Sequence, residues 1–110
     1  MKTAYIAILF IFAAFISAAQ AVELRGAPTC KDWVNDKKIE LLNNRNETWY
    51  LGFLSGMAYS SGKDFLRGTE LSAILAWPNN YCKEYPLDTL NDAAHGLVIE
   101  LTNRKGIKFP

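Results

Sequence analysis

Trp49-Tyr50-Leu51-Gly52-Phe53-Leu54-Ser55-Gly56-Met57-Ala58 is the stretch that sets the fold class. Its apolar residues Trp49, Tyr50, Phe53, Leu54, Met57 and Ala58 recur at i, i+1, i+4, i+5, i+8 and i+9. That is a wide stripe at helical period and not the alternation of a strand. Asn46 is placed to cap this helix, with Glu47 in its first turn. Gly52 and Gly56 lie four apart beside the stripe, and each costs a helix about 1 kcal/mol against alanine. Such a line predicts a close approach to the backbone, by another helix of the fold or, less simply, by a ligand or partner.

Working outward, Ser60 to Gly68 reads as a loop, with Phe65 and Leu66 turned back onto the core. Thr69 is placed to cap a third helix whose apolar positions are Leu71, Ile74, Leu75, Trp77, Tyr81 and Cys82. Pro78 interrupts it, removing a backbone donor and crowding the preceding turn, so a kink or two short helices are expected there. Tyr85-Pro86 ends the element. The clearest stripe follows: Leu87, Leu90, Ala94, Leu97, Val98 and Leu101, with Asp88 as cap. Glu100 and Arg104 form a favourable i, i+4 pair, and Gly106 stands at the C-terminal turn. Residues 107–110 are expected to form a loose tail. On the N-terminal side, Thr29-Cys30-Lys31-Asp32 resembles a capping box, and Cys30, Trp33 and Val34 share one helical face. That helix is expected to continue through Ile39, Leu41 and Leu42 until Asn43-Asn44-Arg45-Asn46 breaks it. No repeat or low-complexity run appears. The expectation is all-α: one domain, residues 22–110, folded as a small orthogonal bundle of three to five helices.

Ahead of it lies a stretch that reads as an export signal, residues 1–21. Lys2 supplies a positive start, Ala4 to Ile16 is unbroken apolar sequence, and Ala19-Gln20-Ala21 has the small-residue form that signal peptidase accepts. Cleavage is placed after Ala21, with Ala19 second. The apolar run of about 13 residues falls short of the ~20 needed to span a bilayer. The expectation is a chain exported to the periplasm or secreted, free of the membrane after cleavage. Removal of the signal takes only Lys2 from the charges, leaving eleven of each sign. Near-zero net charge gives no reason to bind nucleic acid, and Lys37-Lys38 and Arg104-Lys105 are isolated pairs.

Cys30 and Cys82 are an even pair in a small exported domain, which reads as a disulfide closing a loop of about 52 residues. Two free thiols or a metal site are the alternatives. A metal needs further ligands, and His95 is the only histidine. No metal or other cofactor is expected. A Cys–His nucleophile would need a free thiol. His95 lies near the border of the last stripe as a surface or boundary residue, and the carboxylates are scattered. No phosphate loop, zinc spacing or serine elbow is present. The chain is expected to be no enzyme and to have no catalytic residues. Its excess is aromatic: three Trp, four Tyr and three Phe after residue 21. Aromatics anchor protein interfaces, and the candidate interface is Trp49, Tyr50, Gly52, Gly56, Trp77, Tyr81 and Tyr85.

Thr29-Cys30-Lys31-Asp32-Trp33, Gly52-Phe53 and Cys82-Lys83-Glu84-Tyr85-Pro86 together resemble the HdeA family of periplasmic acid-stress chaperones, over most of residues 29–101. The resemblance implies an all-α domain with one disulfide, a homodimer at neutral pH, and acid-exposed apolar surface that binds unfolding client proteins. Loss of charge from eleven carboxylates would carry the chain to about +11 in acid. The stretch 49–56 is also similar to the Rap/Tai-type immunity proteins that block amidase toxins of type VI secretion. It fits their aromatic-rich Gly-x-x-x-Gly helix better than the chaperone pattern. Pro86 departs from that second pattern by standing four residues after the cysteine. The partners implied are unfolding clients or one cognate toxin.

Overall fold

Thr29 starts the first helix with a reciprocal cap: its hydroxyl accepts from the Asp32 amide at 3.0 Å, and the Asp32 carboxylate accepts from the Thr29 amide at 3.0 Å. The computed structural model describes residues 22–109; the stretch read as an export signal lies outside them. Four helices follow in order: α1 (Cys30–Asn35), α2 (Glu40–Ser61), α3 (Leu71–Glu84) and α4 (Leu90–Lys105), with a 3-10 turn at Asp36–Lys38 between the first two. Among the described residues there is no strand, only one isolated bridge between Thr29 and Thr89. No described helix is long and apolar enough to cross a membrane.

The α1–α2 boundary differs from the sequence expectation. α1 ends at Asn35, and Ile39 takes extended backbone before α2 starts. The asparagine run 43–46, expected as a break, lies in the early turns of α2. Asparagine breaks helices when its side chain competes for nearby backbone. Here Asn43 donates instead to Glu47 one turn on, at 3.1 Å. Asn46, expected as a cap, is buried mid-helix and donates to the Asp36 carboxylate at 3.0 Å and to the Asp32 carbonyl at 3.5 Å. It ties α2 to α1 and its turn.

α3 runs unbroken through Pro78, where a kink or a split was expected. A proline amide would have bonded the Ile74 carbonyl four residues back. Tyr50 fills the vacancy: its hydroxyl donates to that carbonyl at 3.0 Å. Thr69 does not cap α3; Glu70 holds the cap position without a side-chain bond. The Thr69 hydroxyl accepts from Lys105 Nζ at 3.2 Å, and the same ammonium reaches the carbonyls of Phe65 (2.7 Å) and Arg67 (2.5 Å). One lysine at the end of α4 thereby holds the 62–70 loop, with Phe65 buried and Leu66 packed on the core as expected.

α4 is capped by Thr89, not Asp88. The Asp92 carboxylate accepts from the Thr89 amide at 3.0 Å and from its hydroxyl at 2.8 Å. Asp88 has other work: its carbonyl accepts from the Cys30 amide at 2.9 Å and its carboxylate from the Tyr81 hydroxyl at 2.6 Å. With Leu90 N–H on the Pro28 carbonyl at 2.9 Å, the starts of α1 and α4 are sewn side by side. Leu87, placed in the stripe from sequence, precedes the helix and is 97% exposed. The tail also departs from expectation. Gly106, at φ 63°, turns the chain back; Ile107 N–H bonds the Thr102 carbonyl at 2.9 Å, and Phe109 packs edge-on against Phe65 with ring centres 5.7 Å apart.

Cys30 and Cys82 form the disulfide, Cα atoms 5.0 Å apart, both buried, joining α1 to α3. α3 packs on α1 and α4, and α4 on α2. One core holds Trp33, Tyr50, Leu54, Phe65, Ile74, Leu90, Leu97, Val98 and Leu101. The chain is a small all-α bundle with one disulfide.

Candidate protein-binding face

Helical geometry sorts the residues of α2. Asn46, Tyr50 and Leu54 are buried, spaced by four. At about 100° per residue, positions two beyond a buried one point the opposite way. Gly52 and Gly56 therefore stand on the outer face with Thr48. Both glycines are exposed, and a Cβ built at either meets nothing within 4 Å. The close packing expected along this line is absent. The close approach is at Gly96 on α4, where a Cβ would stand 3.4 Å from ring atoms of Trp77 and Tyr81. Its only sequence signal was a glycine inside the clearest stripe.

Two exposed apolar residues end the outer face: Leu41 (78% exposed) and Tyr59 (92%). They are eighteen residues apart, five helical turns, so they share one side of α2 with the glycines. Leu41, expected at the end of the first helix, lies instead in the first turn of α2, and its spacing to Tyr59 is visible in the sequence. Trp49 flanks the line, stacked on Phe53 at 5.2 Å with planes 10° apart; Phe53 in turn meets the exposed His95 edge-on at 5.8 Å. A shallow cavity of about 420 Å³ lies between Leu41, Asn44, Arg45, Thr48 and Trp49.

The other candidates do not join this face. Tyr50 is fully buried and belongs to the core, where burial raises its phenol above the ordinary range. Trp77 and Tyr81 lie on α3, and Tyr85 follows directly after its last residue. Trp77 donates to the Ala93 carbonyl at 2.8 Å, and Tyr81 bonds Asp88; both seal the α3–α4 seam over Gly96. Burial, reinforced by the Asp88 carboxylate, raises the Tyr81 phenol. Tyr85 is exposed beside Tyr81, ring centres 4.9 Å apart, and the three line a cavity of about 340 Å³ with Asn80 and Glu84.

Neither cysteine is a free thiol. Among the described residues no cluster of three His, Cys, Asp or Glu side chains is placed to hold a metal ion. What the arrangement offers is an exposed, preformed helix face with small residues along its middle and apolar anchors at its ends. No family model, curated protein or solved structure matches the chain.

Proposed function

We propose that this chain is an exported, non-catalytic protein-binding domain that holds one folded partner on the outer face of α2. The observation that carries the reading is the open line of Gly52 and Gly56 between Leu41, Trp49 and Tyr59. Two glycines in the middle of a helix are a standing cost, and nothing among the described residues repays it. A partner backbone brought against them would. Large apolar anchors on a rigid element supply contact area at low ordering cost. The resemblance of residues 49–56 to Rap/Tai-type immunity proteins supports a cognate amidase-type toxin as the partner. The test is capture on immobilised chain from an envelope extract at neutral pH, followed by purification of what is bound. A single protein that rebinds saturably at one-to-one stoichiometry is expected. A smear of unrelated proteins, or none, counts against the reading.

A second reading, the HdeA-like chaperone of unfolding clients, is favoured by where the aspartates sit. Asp32 and Asp92 close the two capping boxes, Asp36 holds Asn46, and Asp88 holds Tyr81. The Thr29 backbone and hydroxyl hold the Asp32 carboxyl below the usual carboxylate range, so its protonation in acid removes a stabilising contact at the start of α1, where α3 and α4 are joined. This reading predicts suppression of aggregation of an unrelated client near pH 2–3 and none near pH 7. Absence of protection in acid removes it.

A further inference from the structure

Apart from the α2 face and the cavity beside Tyr81 and Tyr85, a concave surface lies over the disulfide. Two adjoining cavities of about 480 and 330 Å³ share Val34, Cys82 and Pro86 and form one groove between α1 and α3. Its floor is apolar: the exposed Val34 and Pro86, above Trp33 and the Cys30–Cys82 bridge, which are almost wholly buried. Val34 is left 55% exposed, and Leu87 beside it stands almost wholly in water.

The rim has one sign. The charged residues lining the groove are Lys31, Lys37 and Lys83, with no carboxylate among them. The nearby acids on the same elements are engaged elsewhere. Asp32 is closed onto Thr29, Asp36 onto Asn46 and Asp88 onto Tyr81, while Glu84 lines the cavity with Tyr81 and Tyr85. The ion pairs among the described residues are Glu23–Arg25, Asp64–Arg67 and Glu100–Arg104, so none of the three lysines is paired. Lys37 lies 4.0 Å over the Trp33 ring, held at the groove's edge.

We infer that this groove binds an acidic peptide segment of a protein partner, with one large apolar side chain seated over the disulfide and flanking carboxylates on Lys31, Lys37 and Lys83. An apolar floor ringed by unpaired ammonium groups matches a ligand of opposite pattern, apolar at its centre and anionic around it. A small inorganic anion leaves the floor wet. A flat bilayer surface presents no side chain to the concavity. The surface is separate from the α2 face, and the inference does not rest on that reading.

The probe is a six-residue amidated peptide with a central Phe-Leu pair between two pairs of glutamates. Serine-flanked and lysine-flanked versions serve as comparison, each titrated into the isotope-labelled chain and followed by amide and indole NMR shifts. The acidic peptide is expected to saturate, with shifts confined to residues 30–37, 79–87 and the Trp33 indole. Binding by the serine version should be about tenfold weaker, and the lysine version should not bind. Lys31→Glu/Lys37→Glu/Lys83→Glu should lose the acidic peptide by at least about thirtyfold and gain the basic one, while Lys63→Glu changes nothing. Circular dichroism of the triple variant, all surface changes, confirms that it is folded. Three results overturn the inference: equal binding of all three peptides, shifts centred on α2 instead, or binding to phosphatidylglycerol vesicles with no saturation by peptide.

Discussion

Pro78 and Tyr50 stand on different helices and answer each other. The ring of Pro78 deletes the amide that would have bonded the Ile74 carbonyl, and the buried Tyr50 hydroxyl supplies a donor in its place. A carbonyl left unpaired in a core costs about 1–3 kcal/mol. Tyr50→Phe should therefore destabilise the chain by about 1–2 kcal/mol in urea titration. With Pro78→Ala the restored amide takes the carbonyl, and the same Tyr50→Phe change should cost markedly less. A double-mutant cycle with no coupling would contradict the pairing. Asp32 makes a smaller, pH-dependent contribution. The backbone and hydroxyl of Thr29 hold its carboxyl below the usual carboxylate range. A carboxyl lowered in the folded state stabilises at pH above its unfolded value, near 4, and the benefit fades as pH falls through the folded value. Asp32→Ala should thus cost about 0.5–1 kcal/mol at pH 7, and the gap from the native chain should narrow as pH falls below the ordinary carboxylate value of about 4. A gap that is constant with pH would rule out the carboxylate as its source.

At the level of elements, the decisive distinction is between a glycine that is crowded and one that is open. Gly96 carries ring atoms of α3 against its backbone, whereas Gly52 and Gly56 carry nothing. Gly52→Ala and Gly56→Ala should each stabilise α2, by up to about 1 kcal/mol from helix propensity alone. Thermal unfolding of the single variants checks this, and a loss of stability would mean that some contact occupies the line. Sequence periodicity revealed α4 and the α3 stripe, because apolar spacing reports burial; the inward turn of Phe65 was legible only as an apolar residue in a polar loop. Helix ends were less legible. The run of asparagines around Asn46 favours a break by local propensity, and the bonds of Asn43 to Glu47 and of Asn46 to Asp32 and Asp36 oppose that preference. Asp88 and Thr89 are both good caps, and the competition is decided by Tyr81 taking the Asp88 carboxylate. Of the candidate interface, the glycine line lies on α2 as expected, but among the described residues no helix of the fold packs against it. A glycine's cost predicts proximity, but not whether the neighbour belongs to the same chain.

Across the whole molecule, covalent and polar ties converge on the start of α1. The disulfide joins it to α3, the Cys30 amide and the Pro28 carbonyl join it to α4, and Asn46 joins it to α2. Cutting the disulfide releases a loop of 52 residues in the unfolded chain. Cys30→Ser/Cys82→Ser should cost about 3–4 kcal/mol, enough to place a domain of ordinary stability near its unfolding midpoint. A urea midpoint unchanged by the double substitution would contradict this. A scaffold tied in this way can present the α2 face without reorganising, which is the condition for specific binding at low ordering cost. The most direct measurement is the affinity of purified Gly52→Leu/Gly56→Leu chain for the partner captured by the native one, alongside its melting temperature. A melting temperature equal to or above that of the native chain and an affinity lower by about a hundredfold are expected. Native affinity in a variant that is fully folded would contradict it.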